Sequence, residues 1–128
     1  MPDTTSMQRL ADRFVAAIEG ADLKALDAIY TPDAVVWRNY DRREQPRDEN
    51  IATVASFKRL FRSFRYADIR RHFFERGFVQ QLVASGVKAS GESFRVPVCQ
   101  VITVRGEQIA RIDEYFDSAQ DARPPQER

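Results

Sequence analysis

The strongest chemical feature of this sequence is a carboxylate set in an apolar strand. Glu114 shares one strand face with Ile112 and Phe116, because side chains alternate between the two faces of a strand. Such a carboxylate should be partly desolvated, which disfavours its charged form and suits acid–base work. An ion pair with Arg38 or Arg95 would instead give Glu114 a structural role, so both interpretations stay open.

Three further polar residues are candidates to assist Glu114. His72 is the only histidine, and an imidazole suits proton transfer near neutral pH. Across a turn at Arg76-Gly77 it should pair near Gln81, although it could equally be an ordinary strand residue near a dimer surface. Asn39 and Gln81 are candidates to orient water or substrate.

The candidate binding residues are Trp37, Arg38, Gln81, Cys99, Phe14 and Phe116. With a two- or four-residue turn around Gly106, Cys99 and Glu114 fall on the same face, whereas a bulge would break this pairing. Cys99 is expected to be a pocket wall or a small core residue, because a nucleophilic thiol needs a nearby base and Glu114 is a poor one.

Composition excludes several classes of function. A length of 128 residues suits one domain, 1–128, and a net charge of +1 argues against a nucleic-acid-binding surface. One cysteine rules out an internal disulfide and a cysteine-based zinc cluster. We expect no metal, no cofactor and no membrane span, and the absence of a signal-peptide pattern favours a cytoplasmic location.

The elements that must position these residues follow from periodicity. Helices are predicted up to Gly20, from Asp22 to Pro32, and from about residue 51 to Phe64. Strands are predicted over 33–40, 65–75, 78–85 and in a long hairpin over 94–117, with a polar loop at 41–50 and a disordered tail at 118–128. This order predicts an α+β domain with helices on one face of a curved antiparallel sheet.

The element order resembles the nuclear transport factor two-like fold. Two stretches carry the likeness, FVAAIEGADLKALDAIYTPDAVVWRNYD near the start and RGEQIARIDEYFD near the end. Within that fold the sequence is most similar to the SnoaL-like group, which includes polyketide cyclases, ketosteroid isomerases and limonene epoxide hydrolase. The resemblance implies a cone in which the sheet and three N-terminal helices enclose one apolar pocket, and a homodimer.

Carried over residue by residue, the resemblance argues against ketosteroid isomerisation. The positions of that family's base, tyrosine and aspartic acid match Arg38, Phe14 and Cys99 here, and a phenylalanine cannot donate a hydrogen bond. The epoxide hydrolase pattern is half present. Glu114 matches its last-strand carboxylate and Asn39 its water-orienting asparagine. Its Arg-x-Asp acid is replaced by Val83 and Ser85, which leaves His72 as the candidate acid.

The sequence therefore predicts a small pocket enzyme, a hydrolase, cyclase or isomerase, acting on an apolar oxygenated molecule. A non-catalytic ligand-binding protein or a scaffold of the same fold is the alternative. The homodimer is expected to form through an outer sheet face carrying Val98, Gln100 and Ile102.

Overall fold

The computed structural model describes residues 3–121, with side chains through residue 119. Its helices are α1 (Thr4–Glu19), α2 (Leu23–Ile29), α3 (Arg47–Ala55) and two single turns, α4 (Phe57–Leu60) and α5 (Ser118–Asp121). Its strands are β1 (Tyr30–Arg38), β2 (Glu44–Pro46), β3 (Phe61–Phe74), β4 (Gly77–Lys88), β5 (Ser93–Arg105) and β6 (Gln108–Phe116).

The strands form one curved, unclosed six-stranded sheet in the order β2-β1-β6-β5-β4-β3. The predicted α+β cone with three main helices is confirmed. The sheet is mixed rather than antiparallel, because β1 runs parallel to β6 while the other pairs are antiparallel. The short strand β2 lies inside the predicted polar loop and pairs with the end of β1.

The helices cover one face of the sheet, here called the inner face. α1 buries an apolar stripe that includes Leu10, Phe14 and Ile18, as its helical spacing predicted. Asp22 caps α2, since its side chain accepts a hydrogen bond from the Ala25 backbone N–H. These helices meet inner-face residues of the sheet in one apolar core.

The third predicted helix is too long at its C-terminal end. The chain leaves α4 at Leu60, and Phe61–Phe64 already belong to β3. The aromatic rings of Phe57, Phe61 and Phe64 still pack together at centroid distances of 5.0–5.2 Å. The apolar residues therefore cluster as expected, but from a helix end and a strand rather than from one helix.

A β-bulge sets the register of the β5–β6 hairpin. Arg105 pairs with Gln108 around a two-residue turn, and Gly106 in that turn has φ 64°. Val104 pairs with Ile109 but Thr103 pairs with Arg111, which leaves one extra residue in β6. The bulge places Gln100 opposite Glu114, so the predicted shared face of Cys99 and Glu114 is wrong.

The predicted tail, 118–128, begins with the helical turn α5, and residues 122–128 lie outside the described part of the chain. In residues 3–121, no helix is long and apolar enough to cross a membrane.

Candidate functional site

A cavity of about 330 Å³ opens between the inner face of the sheet and the end of α3. Aromatic and aliphatic side chains form most of its wall: Phe57, Phe61, Phe64, Ala84, Phe94, Val96, Val98 and Phe116. Its polar side consists of Arg38, Gln45, Thr53, Tyr66 and Glu114, and the exposed residues Tyr40, Asp41 and Arg43 lie at its rim. A recess of about 60 Å³ shares Arg38, Phe57, Tyr66 and Glu114 with this cavity and reaches Phe14.

The charged centre of the cavity is an ion pair between adjacent parallel strands. Arg38 on β1 is the direct neighbour of Glu114 on β6, and Arg38 Nε donates to Glu114 Oε1 at 2.9 Å. Only 19% of the Arg38 side chain and 13% of the Glu114 side chain are exposed. Burial alone would lower the pKa of Arg38, but the Glu114 charge and hydrogen bond outweigh it and raise that pKa.

The second carboxylate oxygen is held from the neighbouring antiparallel strand. Gln100 Nε2 donates to Glu114 Oε2 at 2.7 Å, and Gln100 itself is 1% exposed. A carboxylate has about four acceptor positions on its two oxygens. Two of them are occupied by Arg38 and Gln100, and the remaining lone pairs are available to a group in the cavity that Glu114 lines.

Tyr66 on β3 brings a hydroxyl to the same end of the cavity. Burial raises its pKa, and the charges of Glu114 and Tyr30 raise it further, while Arg38 and a hydrogen-bonding interaction with Gln100 act in the opposite direction. The phenol is therefore neutral at ordinary pH and can donate a hydrogen bond.

A second polar network fixes Arg38 from the α3 side. Arg38 Nη1 donates to Gln45 Oε1 at 3.0 Å, and Asn50 Nδ2 donates to the same oxygen at 2.9 Å. The Tyr30 hydroxyl donates to Asn50 Oδ1 at 2.7 Å, and Gln45 Nε2 donates to Thr53 Oγ1 at 2.9 Å. Arg38 is thus held by β6 on one side and by β2 and α3 on the other.

The structure brings together four of the residues that the sequence singled out. Glu114, Arg38 and Phe116 line the cavity, and Phe14 lines its recess. The ion pair between Arg38 and Glu114 was one of the two interpretations of Glu114, and it occurs inside the cavity rather than apart from it. Glu114 therefore forms the ion pair and also lines the cavity, and its role in proton transfer stays a prediction.

The two neighbours of Arg38 point elsewhere. Trp37 lies on the outer face of the sheet, where its ring packs on Tyr115 at 5.3 Å. Asn39 is exposed, and its Oδ1 accepts a hydrogen bond from the Phe116 backbone N–H at 3.0 Å. Asn39 thus extends the β1–β6 pairing beyond the end of β1 and is not part of the cavity lining.

His72, Gln81 and Cys99 also lie away from the cavity. His72 is exposed on β3 and pairs with Val79 rather than with Gln81. Gln81 and Cys99 pair with each other on the outer face, where they line a shallow groove together with Tyr115.

The residues predicted to form the dimer face lie on the inner face of the sheet. Val98, Gln100 and Ile102 are buried there, so the prediction assigned them to the wrong side of the sheet.

Sequence reasoning missed Tyr66, Gln100 and Gln45 as residues of the site. Gln100 carried a usable signal, because it is the one polar residue in the apolar series 94, 96, 98, 100, 102 and 104 of β5. Tyr66 carried a weaker signal, because the apolar pattern extended the predicted helix to Phe64 and did not show that β3 begins at Phe61. Gln45 lies in a polar segment with no periodicity and could not be found.

The described side chains offer no metal site. Within the described residues, no group of three or more His, Cys, Asp and Glu side chains is arranged to hold a metal ion. The polar side of the cavity offers a carboxylate, a guanidinium, a phenol, a hydroxyl and a carboxamide.

Solved structures with the same fold span nearly the whole chain. TsrD from Streptomyces laurentii superposes with a TM-score of 0.80 at 19% identity, covering 97% of each chain. An LEH-like epoxide hydrolase from M. tuberculosis gives 0.78 at 19% identity, covering 94% of this chain and 90% of that one. A putative polyketide cyclase from Xanthomonas campestris pv. campestris gives 0.79 at 21% identity, covering 91% and 96%.

The sequence itself matches one family. A search of curated proteins found no match, whereas residues 11–112 match the SnoaL-like domain. That range includes β1, α3 and the three long strands β3, β4 and β5, and it ends just before Glu114. The chain therefore belongs to the SnoaL-like domain family.

Proposed function

We propose that this protein is a cofactor-independent enzyme that moves a proton on an apolar, oxygenated small molecule. Glu114 is the proton acceptor and the Tyr66 hydroxyl is the hydrogen-bond donor to an oxygen of the substrate. The observation that carries the proposal is that Glu114, fixed by Arg38 and Gln100, lines a cavity with an apolar wall and lies beside that phenol.

The partners of Glu114 suit a general base. Arg38 and Gln100 both donate to the carboxylate, which fixes its orientation in the cavity. General acid–base catalysis by a positioned side chain is worth about 10²–10⁴-fold in rate. Only 13% of the Glu114 side chain is exposed, and this reduced contact with water strengthens its electrostatic interactions.

Tyr66 supplies the complementary group. A partly buried, neutral phenol is a preorganised donor toward negative charge that develops on a substrate oxygen. Its raised pKa, caused by burial and by the Glu114 charge, keeps it protonated throughout the working pH range. Tyr66 takes the place that the sequence had given to His72, whose exposed side chain lies away from the cavity.

The lining of the cavity defines the class of substrate. Five phenylalanines form much of the wall and the polar groups gather at one side, which suits a molecule with an apolar body and one oxygenated end. A volume of about 330 Å³ is at the lower end of the roughly 300–1,000 Å³ of small-molecule sites. Two structures of the same fold are an epoxide hydrolase and a putative polyketide cyclase, and a hydrolase, a cyclase and an isomerase all remain within this proposal.

A non-catalytic ligand-binding protein is the second candidate. The observation that favours it is that each Glu114 oxygen already accepts a hydrogen bond from the protein. In that case the ion pair holds β1 and β6 together, and the cavity only binds its ligand.

The proposal includes a homodimer formed through the outer face of the sheet. That face presents Trp37, Val101 and the half-exposed Tyr115 together with Ile69. Apolar side chains on both faces of a sheet are typical of strands covered on both sides. Light scattering of the purified protein tests the dimer, and a monomer would contradict it.

A cytoplasmic location also belongs to the proposal, and fractionation of the native cell tests it.

The experiment that tests the proposed function is a ligand survey. Native mass spectrometry and thermal shift would be run with steroids, terpenoid epoxides and aromatic polyketides, and each binding compound would be incubated with the protein and analysed for products. A compound that is bound and converted supports the enzyme. A compound that is bound and recovered unchanged supports the ligand-binding alternative.

A further inference from the structure

A row of polar residues crosses the sheet to Glu114. Arg71, Gln80, Gln100 and Glu114 are successive cross-strand partners on β3, β4, β5 and β6. Arg71 Nε donates to Gln80 Oε1 at 2.9 Å, Gln80 Nε2 donates to Gln100 Oε1 at 2.7 Å, and Gln100 Nε2 donates to Glu114 Oε2 at 2.7 Å. At the far end Asp12 of α1 accepts from Arg71 Nη1 at 2.7 Å.

The two ends of this row dictate the orientation of both carboxamides. A guanidinium can only donate hydrogen bonds, and an ionised carboxylate can only accept them. Gln80 must therefore turn its oxygen to Arg71, which turns its NH₂ group to Gln100. Gln100 in turn accepts from Gln80 and donates to Glu114, so both ends require the same orientation.

Burial stabilises this orientation of the two side-chain amides. Gln80 is 0% exposed and Gln100 is 1% exposed, so water does not compete for their amide groups. A flipped Gln100 would place its carbonyl oxygen against the carboxylate and its NH₂ group against that of Gln80. Each contact would leave buried polar groups unpaired, which is costly inside a protein.

We propose that Arg71, which is not part of the cavity lining, is a positioning residue for Glu114. Through Gln80 it holds the Gln100 amide as a donor to the carboxylate. The consequence for catalysis rests on the proposed function. The Gln100 oxygen is turned away from Glu114, so a proton taken up by Glu114 cannot be shared with Gln100 and stays directed at the cavity.

The carboxylate has other charged and titratable neighbours, and the test must hold them constant. They are Arg38 and Tyr30 from β1, Tyr66 from β3, Glu49 from α3, which contacts Gln45 of β2, and Asp41 and Arg43 at the rim. None of them is changed in the variants below. A change in the titration of Glu114 can therefore be assigned to the row or to the charge of Arg71 itself.

The test is a carbon-13 titration of the Glu114 carboxyl group, assigned by the loss of its signal in Glu114→Gln. Arg71→Met removes the end of the row. Gln80→Met interrupts the row while the guanidinium charge stays. Arg70→Met is the matched control, because Arg70 is the exposed neighbour of Arg71 on the same strand.

In both Arg71→Met and Gln80→Met we expect the titration midpoint of the Glu114 carboxyl group to lie above that of the wild type, since the ionised form loses a fixed donor. The Gln100 side-chain amide signals should shift in both variants, and Arg70→Met should match the wild type. A rise in Arg71→Met without one in Gln80→Met would mean a through-space charge effect and would overturn the proposal. An unchanged midpoint in both folded variants would overturn it as well. The titration needs no substrate, so its outcome is separate from that of the ligand survey.

Discussion

Arg38 and Glu114 are direct neighbours on the parallel strands β1 and β6, and Arg38 Nε donates to Glu114 Oε1 across 2.9 Å. This contact joins the two strands that meet at the polar side of the cavity. Because both side chains are largely buried, removing one partner leaves a charge without its counter-ion. Removing either partner should therefore destabilise the protein, apart from any effect on the chemistry proposed for Glu114.

The first prediction concerns this coupling. Arg38→Met and Glu114→Gln should each lower the free energy of unfolding by about 2 kcal/mol, somewhat less than for a completely buried pair. The double variant should cost less than the sum of the two, because neither charge is then left unpaired. Urea denaturation of the four proteins measures the coupling. The same cycle on Arg111 and Asp113, which form a more exposed pair, should give a smaller value, and additive effects at Arg38 and Glu114 would contradict the account.

A second prediction concerns the donor. Tyr66→Phe keeps the ring and removes only the hydroxyl, so the rate of conversion should fall about 10²- to 10³-fold while ligand affinity changes little. Tyr115→Phe, on the outer face of the sheet, is the matched control and should keep the wild-type rate. A Tyr66→Phe variant with full activity would remove Tyr66 from the mechanism.

Alkaline pH should destabilise the protein through Tyr30 and Tyr66. Burial, followed by the charge of Glu114, raises the pKa of both phenols in the folded state. A group whose pKa is raised on folding stabilises the fold below its unfolded pKa of about 10, and this contribution is lost as pH increases above that value. The slope is at most about 1.4 kcal/mol per pH unit for each tyrosine.

Urea denaturation between about pH 9 and 11 measures this dependence. Tyr30→Phe and Tyr66→Phe should each lose stability less steeply with rising pH than the wild type, because a phenylalanine does not ionise. Equal slopes in all three proteins would show that neither phenol is shielded from ionisation by the fold.

The shape of the cavity gives a fourth prediction. Ala84 lines the cavity from β4, whereas its neighbour Val83 faces the outer groove. Ala84→Leu should fill part of the cavity and lower the affinity for a ligand found in the survey by roughly tenfold or more. Val83→Leu should leave that affinity unchanged. Equal affinities in both variants would place the ligand somewhere other than this cavity.

The fold could be predicted because its elements follow simple periodicities. The apolar stripe of α1, the cap at Asp22 and the two faces of β5 each follow from local residue types. The parallel pairing of β1 with β6 could not be predicted in this way. It joins residues far apart in the chain, and no local pattern records the direction of such a pairing.

Part of the site could be predicted, and the rest was missed because of a register shift, an element boundary and a segment without periodicity. Glu114 and Arg38 have residue types that are unusual in their strands, so the sequence alone identifies them. Gln100, and not Cys99, lies opposite Glu114 because a single bulge in β6 shifts the register by one residue. A shift of one residue moves every partner to the other face of the sheet. Tyr66 was missed because β3 begins four residues earlier than the helical pattern suggests.

The central claim is that Glu114 moves the proton. The most direct test is the initial rate of conversion of a ligand identified in the survey, measured for the wild type, Glu114→Gln and Asp113→Asn at a temperature where all three are folded. Asp113 is the matched control, since it is the adjacent carboxylate on β6 and belongs to the outer face with Arg111. The account predicts that Glu114→Gln binds the ligand and loses at least about 10²-fold in rate, while Asp113→Asn keeps the wild-type rate. Wild-type turnover by folded Glu114→Gln would contradict it.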